Sequence, residues 1–241
     1  WDFEGGTSQT ARDALIAAAD ALPNLQALMF GDIVMEESEI SWIEHEDLAP
    51  LLHAFANLRE FRMRGGNGLE FERLAHPRLE SLVVETGGLP SKAITDIIAA
   101  DCPALEHLEL WLGVEDYGFD GTEDTLRPLL VGAVFPNLKV LGLRNSEITD
   151  EITVALAETG PGPSMLDRIH TLDLSLGTLT DVGGVCLLTH PKLKNLQKLD
   201  LHHHYLGEEM MARFAALPIE VDLSEQQEQD DWGDRYTAVA E

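Results

Sequence analysis

The sequence is short of positive charge: 16 lysines and arginines stand against 43 aspartates and glutamates, a formal net charge of −27 over 241 residues. A surface of that sign repels nucleic-acid phosphates and anionic headgroups, so neither nucleic acid nor a membrane surface is an expected partner. A basic or mixed-charge protein or peptide suits it better, unless the acidity serves only solubility. Cysteine is scarce too. Cys102 and Cys186 lie 84 positions apart, form no CxxC and sit in apolar settings, as small hydrophobes of a reducing compartment do. No apolar run approaches the roughly 18 residues of a membrane span, and the first residues carry no basic segment followed by an apolar core. The expectation is a cytoplasmic protein. GxSxG is absent, and the glycines of "RGGNGLEF" are not followed by GK[ST], so they read as a turn in which Gly65, Gly66 and Gly68 supply positive φ.

One pattern recurs. LxxLxL appears seven times with conservative replacements: "LQALMF" from Leu25, "LREFRM" from Leu58, "LESLVV" from Leu79, "LEHLEL" from Leu105, "LKVLGL" from Leu138, "IHTLDL" from Ile169 and "LQKLDL" from Leu196. The starts are 33, 21, 26, 33, 31 and 27 residues apart, and "IEVDL" at Ile219 to Leu223 is a damaged eighth copy. This periodicity predicts leucine-rich repeats. In each copy the last two apolar positions are two apart, the period of a strand with one face buried. Helical stretches intervene, and Thr149, Thr180 and Ser91 stand where N-caps are wanted, while Pro23, Pro103, Pro136, Pro191 and Pro218 end the helices. The fold class expected is an α/β solenoid: a curved parallel sheet on the concave face, helices on the convex face, over residues 1–223. The acidic stretch 224–241 is then a tail that begins flexible and ends, in "RYTAVAE", as a possible capping strand. Two insertions, Ile33 to Asp47 and Val114 to Asp124, lengthen the loops where function often sits.

The stretches "GDIVMEESEISWI", "LEHLELWLGVEDYG", "LGLRNSEITDE", "LDLSLGTLTD" and "LDLHHHYL" resemble, in this order, a family of bacterial leucine-rich-repeat proteins with no assigned biochemical role. The resemblance implies a solenoid with a binding role and no enzymatic activity, hence no cofactor. It also implies that Trp1 falls in the middle of a repeat.

Strand alternation assigns each side chain a face. The column in the middle of the concave surface reads Met29, Arg62, Val83, Glu109, Gly142, Asp173, Asp200 and Asp222. The column after it reads Gly31, Arg64, Glu85, Trp111, Arg144, Ser175, His202 and Ser224, and the one before includes His107 and Lys198. Arginine and tryptophan commonly anchor interfaces, so the expected partner-binding residues are Arg62, Arg64, Glu85, His107, Glu109, Trp111, Arg144, Asp173 and His202, with Trp42 of the first insertion as a wall. The face is expected to be basic and aromatic in its early repeats and acidic in its late ones. The alternative is an enzyme or accessory subunit with a divalent metal or an acid–base pair near Asp173, Asp200 and His202; a third reading is a scaffold that binds through its convex helices. For a metal, Asp200 and His202 are the candidate ligands. In "LDLHHHYL", His202 points outward, whereas His204 falls where such repeats bury a hydrogen-bonding residue. "DYGFDGTEDTLR" fails as a calcium loop, because Gly118 and Arg127 occupy ligand positions.

Overall fold

A computed structural model of the chain describes residues 8–240. Its elements alternate, beginning with α1 (Gln9–Ala17) and β1 (Ala27–Phe30), then α2 (Ala49–Ala54) and β2 (Glu60–Arg64). β3 (Ser81–Glu85), α3 (Ser91–Ile98), β4 (His107–Gly113), α4 (Glu123–Leu130) and β5 (Val140–Ser146) form the middle. α5 (Thr149–Glu158), β6 (Thr171–Asp173), α6 (Asp181–Thr189), β7 (Lys198–Asp200), α7 (Glu208–Ala215) and β8 (Glu220–Asp222) complete it. Among the described residues all eight strands join one parallel sheet in sequence order, β1 to β8. That is a leucine-rich-repeat solenoid, the fold class the LxxLxL periodicity predicts.

The repeat leucines make it stack. Leu58, Leu79, Leu105, Leu138, Ile169 and Leu196, which open the motif, are at most 4% exposed, and the inward strand pairs such as Phe61/Met63, Leu108/Leu110 and Leu199/Leu201 are sealed with them. No single unit could bury these faces alone, so each repeat closes its neighbour's core. The strand register matches the alternation read from the sequence: Met29 pairs Arg62, Arg62 pairs Val83, and the row continues through Glu109, Gly142, Asp173, Asp200 and Asp222.

Some local expectations need correcting. The 21-residue spacing leaves no room for a helix, and residues 65–80 between β2 and β3 contain none. Thr180 is the N-cap of α6, its hydroxyl accepting from Val182 N–H at 3.2 Å, but Ser91 and Thr149 lie one residue inside their helices, after Pro90 and Ile148. Gly65 and Gly68 have φ of 108° and 68°; Gly66 has no such positive φ. Cys102 is buried but Cys186 only half-buried. The expectation that Trp1 opens mid-repeat falls outside the described residues. Within the tail, "RYTAVAE" forms no strand among its described residues. It runs back across the carboxyl ends of the strands, from Tyr205 after β7 to Ser41 after β1.

Candidate functional site

The concave face carries a nearly continuous chain of charged side chains, each held by a strand that fixes its neighbour about 4.8 Å away. At its early end the Glu85 carboxylate has no exposed surface and accepts from both Arg62 and Arg64, the latter through Nε at 3.1 Å and Nη2 at 3.0 Å. Two guanidinium groups offset the desolvation of that one buried carboxylate. Arg64 is braced further by the first insertion, where Ile33 O accepts from its Nη1 at 3.4 Å. Arg62 keeps half of its side chain exposed and borders an open depression of about 410 Å³ over β1 to β4, with Met29, Glu60, Ser81, Val83 and His107 around it.

In the middle, Glu109 Oε1 accepts from the Trp111 indole N–H and from Arg144 Nη1, both at 2.8 Å, and His107 Nε2 stands 3.6 Å from its Oε2. Burial pushes the Glu109 carboxyl up, but His107, Trp111 and the Arg144 guanidinium outweigh that and hold it at about 2. Trp111 is therefore not the exposed anchor expected from the sequence. It is half-buried, and the Arg144 guanidinium lies over its ring, 5.2 Å from the centroid. Arg144 also donates to Ser175 Oγ at 2.9 Å and faces Asp173 at 3.3 Å, whose carboxyl burial raises above the ordinary range despite that cation.

At the late end Asp200 takes Lys198 at 3.0 Å and the His202 ring at 2.7 Å. Burial pushes its carboxyl up, and these partners reverse the shift to below the usual value. Ligand atoms of Asp200, His202 and Asp222 lie within 4.8 Å of one another, so the structure gathers the two candidate metal ligands with one more carboxylate, while Asp173 turns to Arg144 instead. Asp222 already accepts from Ser224 N–H and O–H at 3.0 and 2.6 Å. His204 is buried as expected; its Nε2–H donates to Leu223 O at 3.1 Å, and its Nδ1 accepts from Leu206 N–H at 3.1 Å. Within the histidine run His202 thus lies on the concave side beside Asp200, His203 is half-buried with its Nδ1 3.3 Å from Gly177 O, and His204 is sealed inside. The expected gradient from basic to acidic repeats is muted, because each arginine lies against a glutamate or aspartate and Lys198 lies against Asp200.

Trp42 is 71% exposed in a short 3-10 turn, Ile40–Trp42, and Val34 and Met35 of the same insertion are exposed as well. Sequence reasoning missed Asn145. Fully buried, it has φ of 52°, and its amide side chain bonds both N–H and C=O of Val239 in the tail. An asparagine closing a strand in "LRNS" was the available signal, since asparagine tolerates left-handed backbone.

No protein-family model matches the chain, and no curated protein matches it. Among solved structures it is similar to a protein of Bacteroides fragilis, with 37% identity and a TM-score of 0.89 over 99% of this chain. The chain spans 66% of that protein's length, just under two thirds. An internalin from Listeria monocytogenes matches more loosely, at 16% identity and a TM-score of 0.43, over 89% of this chain and 51% of its own.

Proposed function

We propose that the chain is a non-enzymatic binding module whose concave face, at β1 to β4, receives a protein or peptide of basic or mixed charge in the cytoplasm. The observation that carries this reading is the open depression beside Arg62, where a half-exposed guanidinium, His107 and the exposed Met29 meet with only part of the arginine's hydrogen-bonding capacity used. Glu85 and Arg64 brace Arg62, and Glu109, Trp111, Arg144, Asp173 and His202 extend the patch toward the late repeats. Trp42 supplies an apolar wall. Catalysis near Asp173, Asp200 and His202 is the weaker reading, because each of these groups is engaged by a neighbour and none borders the depression. Residues 1–223 act in this reading as the solenoid unit, with 224–241 as an appended tail.

The test is affinity capture from native lysate with the wild-type protein beside an Arg62→Gln, His107→Ala variant, followed by mass spectrometry. Arg64 stays to pair Glu85, so the variant should fold. A protein held by the wild type and lost from the variant supports the assignment. Equal retention by both would overturn it.

A further inference from the structure

The tail crosses the strand ends in a regular way. Tyr236 N–H donates to the Tyr205 hydroxyl at 2.8 Å, and that hydroxyl donates back to Tyr236 O at 3.0 Å. Ala238 N–H donates to Leu176 O at 2.9 Å, after β6. Val239 N–H donates to Asn145 Oδ1 at 2.9 Å, at the end of β5, and the same amide's NH₂ donates to Val239 O. Ala240 O accepts from the Ser41 hydroxyl and lies over Gly87, where any Cβ would come within 2.2 Å of it. The five residues 236–240 thus reach from beyond the end of β7 to beyond the end of β3, four strand spacings of about 4.8 Å, and run lengthwise across the strand ends.

Three features mark this crevice as built to receive a backbone. Asn145, Leu176, His203 and Glu225, with φ of 52°, 65°, 59° and 61°, occupy one register position in four successive repeats. Left-handed backbone at three residues other than asparagine is costly and is retained where the turn it makes is needed. Leu176, in this row, offers its carbonyl to the tail. Asn145 is fully buried; its NH₂ also reaches Thr86 O at 3.5 Å, but its Oδ1 would lose the Val239 N–H if nothing lay across it. Gly87 removes the side chain that would block the path. What holds the tail is almost all main chain: of residues 225–240 only Thr237 is buried. Such hydrogen bonds engage the backbone rather than side chains, and little apolar surface is buried with them, so the segment is held with little regard to sequence beyond small size.

We propose that this crevice is a peptide-binding groove that reads an extended backbone, and that residues 236–240 fill it as an exchangeable strap, displaced by an extended, small-side-chain segment of a partner protein. The groove is separate from the concave depression and does not depend on the reading given to it.

The test uses the full chain and a synthetic, end-blocked peptide of the sequence RYTAVA. Ala238→Pro, Val239→Pro removes two of the strap's three N–H donors, sparing that of Tyr236, while leaving the groove intact. This variant should bind the peptide about tenfold more tightly than the wild type, whose groove is occupied by its own strap. Adding Asn145→Ala to it should abolish binding. Equal affinity of wild type and proline variant, or binding that survives Asn145→Ala, would overturn the proposal. Amide exchange on the wild type gives an independent reading: Ala238 and Val239 should exchange about a hundredfold faster than the amides of β5 and β6, and equal protection would show a fixed rather than exchangeable strap.

Discussion

Glu85 and Glu109 are neighbours on the concave face, and each depends on the cations beside it. Arg62→Ala leaves Glu85 with Arg64, so it should cost less than about 1 kcal/mol, as pairs with half-exposed partners do. Arg62→Ala with Arg64→Ala strands a carboxylate of 0% exposure and should cost about 3–5 kcal/mol, measured by urea unfolding. Near-equal losses for single and double variants would show that Glu85 does not need the pair. Glu109 makes a pH prediction. Its folded value of about 2 lies below the ordinary 4.5, so its stabilisation is complete above about 4.5 and is lost as pH falls toward 2, up to about 3 kcal/mol. His45 acts in a higher window. Burial holds it near 4, below its ordinary 6.5, so the unfolded chain takes up its proton first and stability falls between 6.5 and 4. Glu109→Gln should flatten the urea midpoint between pH 4.5 and 2 and leave the His45 window unchanged; a profile that keeps its lower slope would refute the assignment.

Between elements, side chains of one repeat cap the next. Asp150 on α5 accepts from Thr180 N–H at 2.8 Å, Thr180 O–H at 2.5 Å and Gly183 N–H at 3.1 Å, all at the start of α6. Asp120 serves Ser91 N–H at α3, and Asp181 serves Gly207 N–H before α7. Carboxylates at helix starts satisfy orphan donors and meet the positive end of the helix dipole. Asp150→Ala should therefore cost about 1–2 kcal/mol, with faster amide exchange concentrated in α6; uniform loss across the array would mean that the cap is not local. The strands were legible in the sequence because the side-chain period of two leaves little freedom: once Leu108 and Leu110 are inside, His107, Glu109 and Trp111 must be outside. Pointing outward did not make Trp111 exposed. How far a side chain is covered depends on cross-strand partners such as Arg144, which lies 33 residues away in sequence. The caps and the tail were not legible for a related reason. Asp150 touches residues some 30 positions away, and the tail is held through its main chain, which leaves no hydrophobic pattern to read.

At the scale of the molecule two long-range forces act on a structure whose sheet contacts run only between adjacent repeats. One is self-repulsion. With a net charge of −27 and nearly all concave cations already paired, added salt should screen repulsion more than attraction and raise the melting temperature; a fall would show that the ion pairs dominate. The other is the strap. A repeat array without it behaves as a row of units coupled to nearest neighbours, in which the two ends can unfold separately. The tail joins Ser41 to Ala240, 199 residues apart, and Asn145 to Val239, 94 apart, so early and late repeats share contacts that only the intact array provides. The strap therefore contributes to cooperativity more than to total stability. Ala238→Pro, Val239→Pro should lower the urea m-value and broaden the transition, with β6 to β8 losing amide protection before β2 to β4, while the midpoint of the more stable half changes little. If the variant unfolds in one step at the wild-type m-value, nearest-neighbour coupling through the sheet suffices to hold the array together.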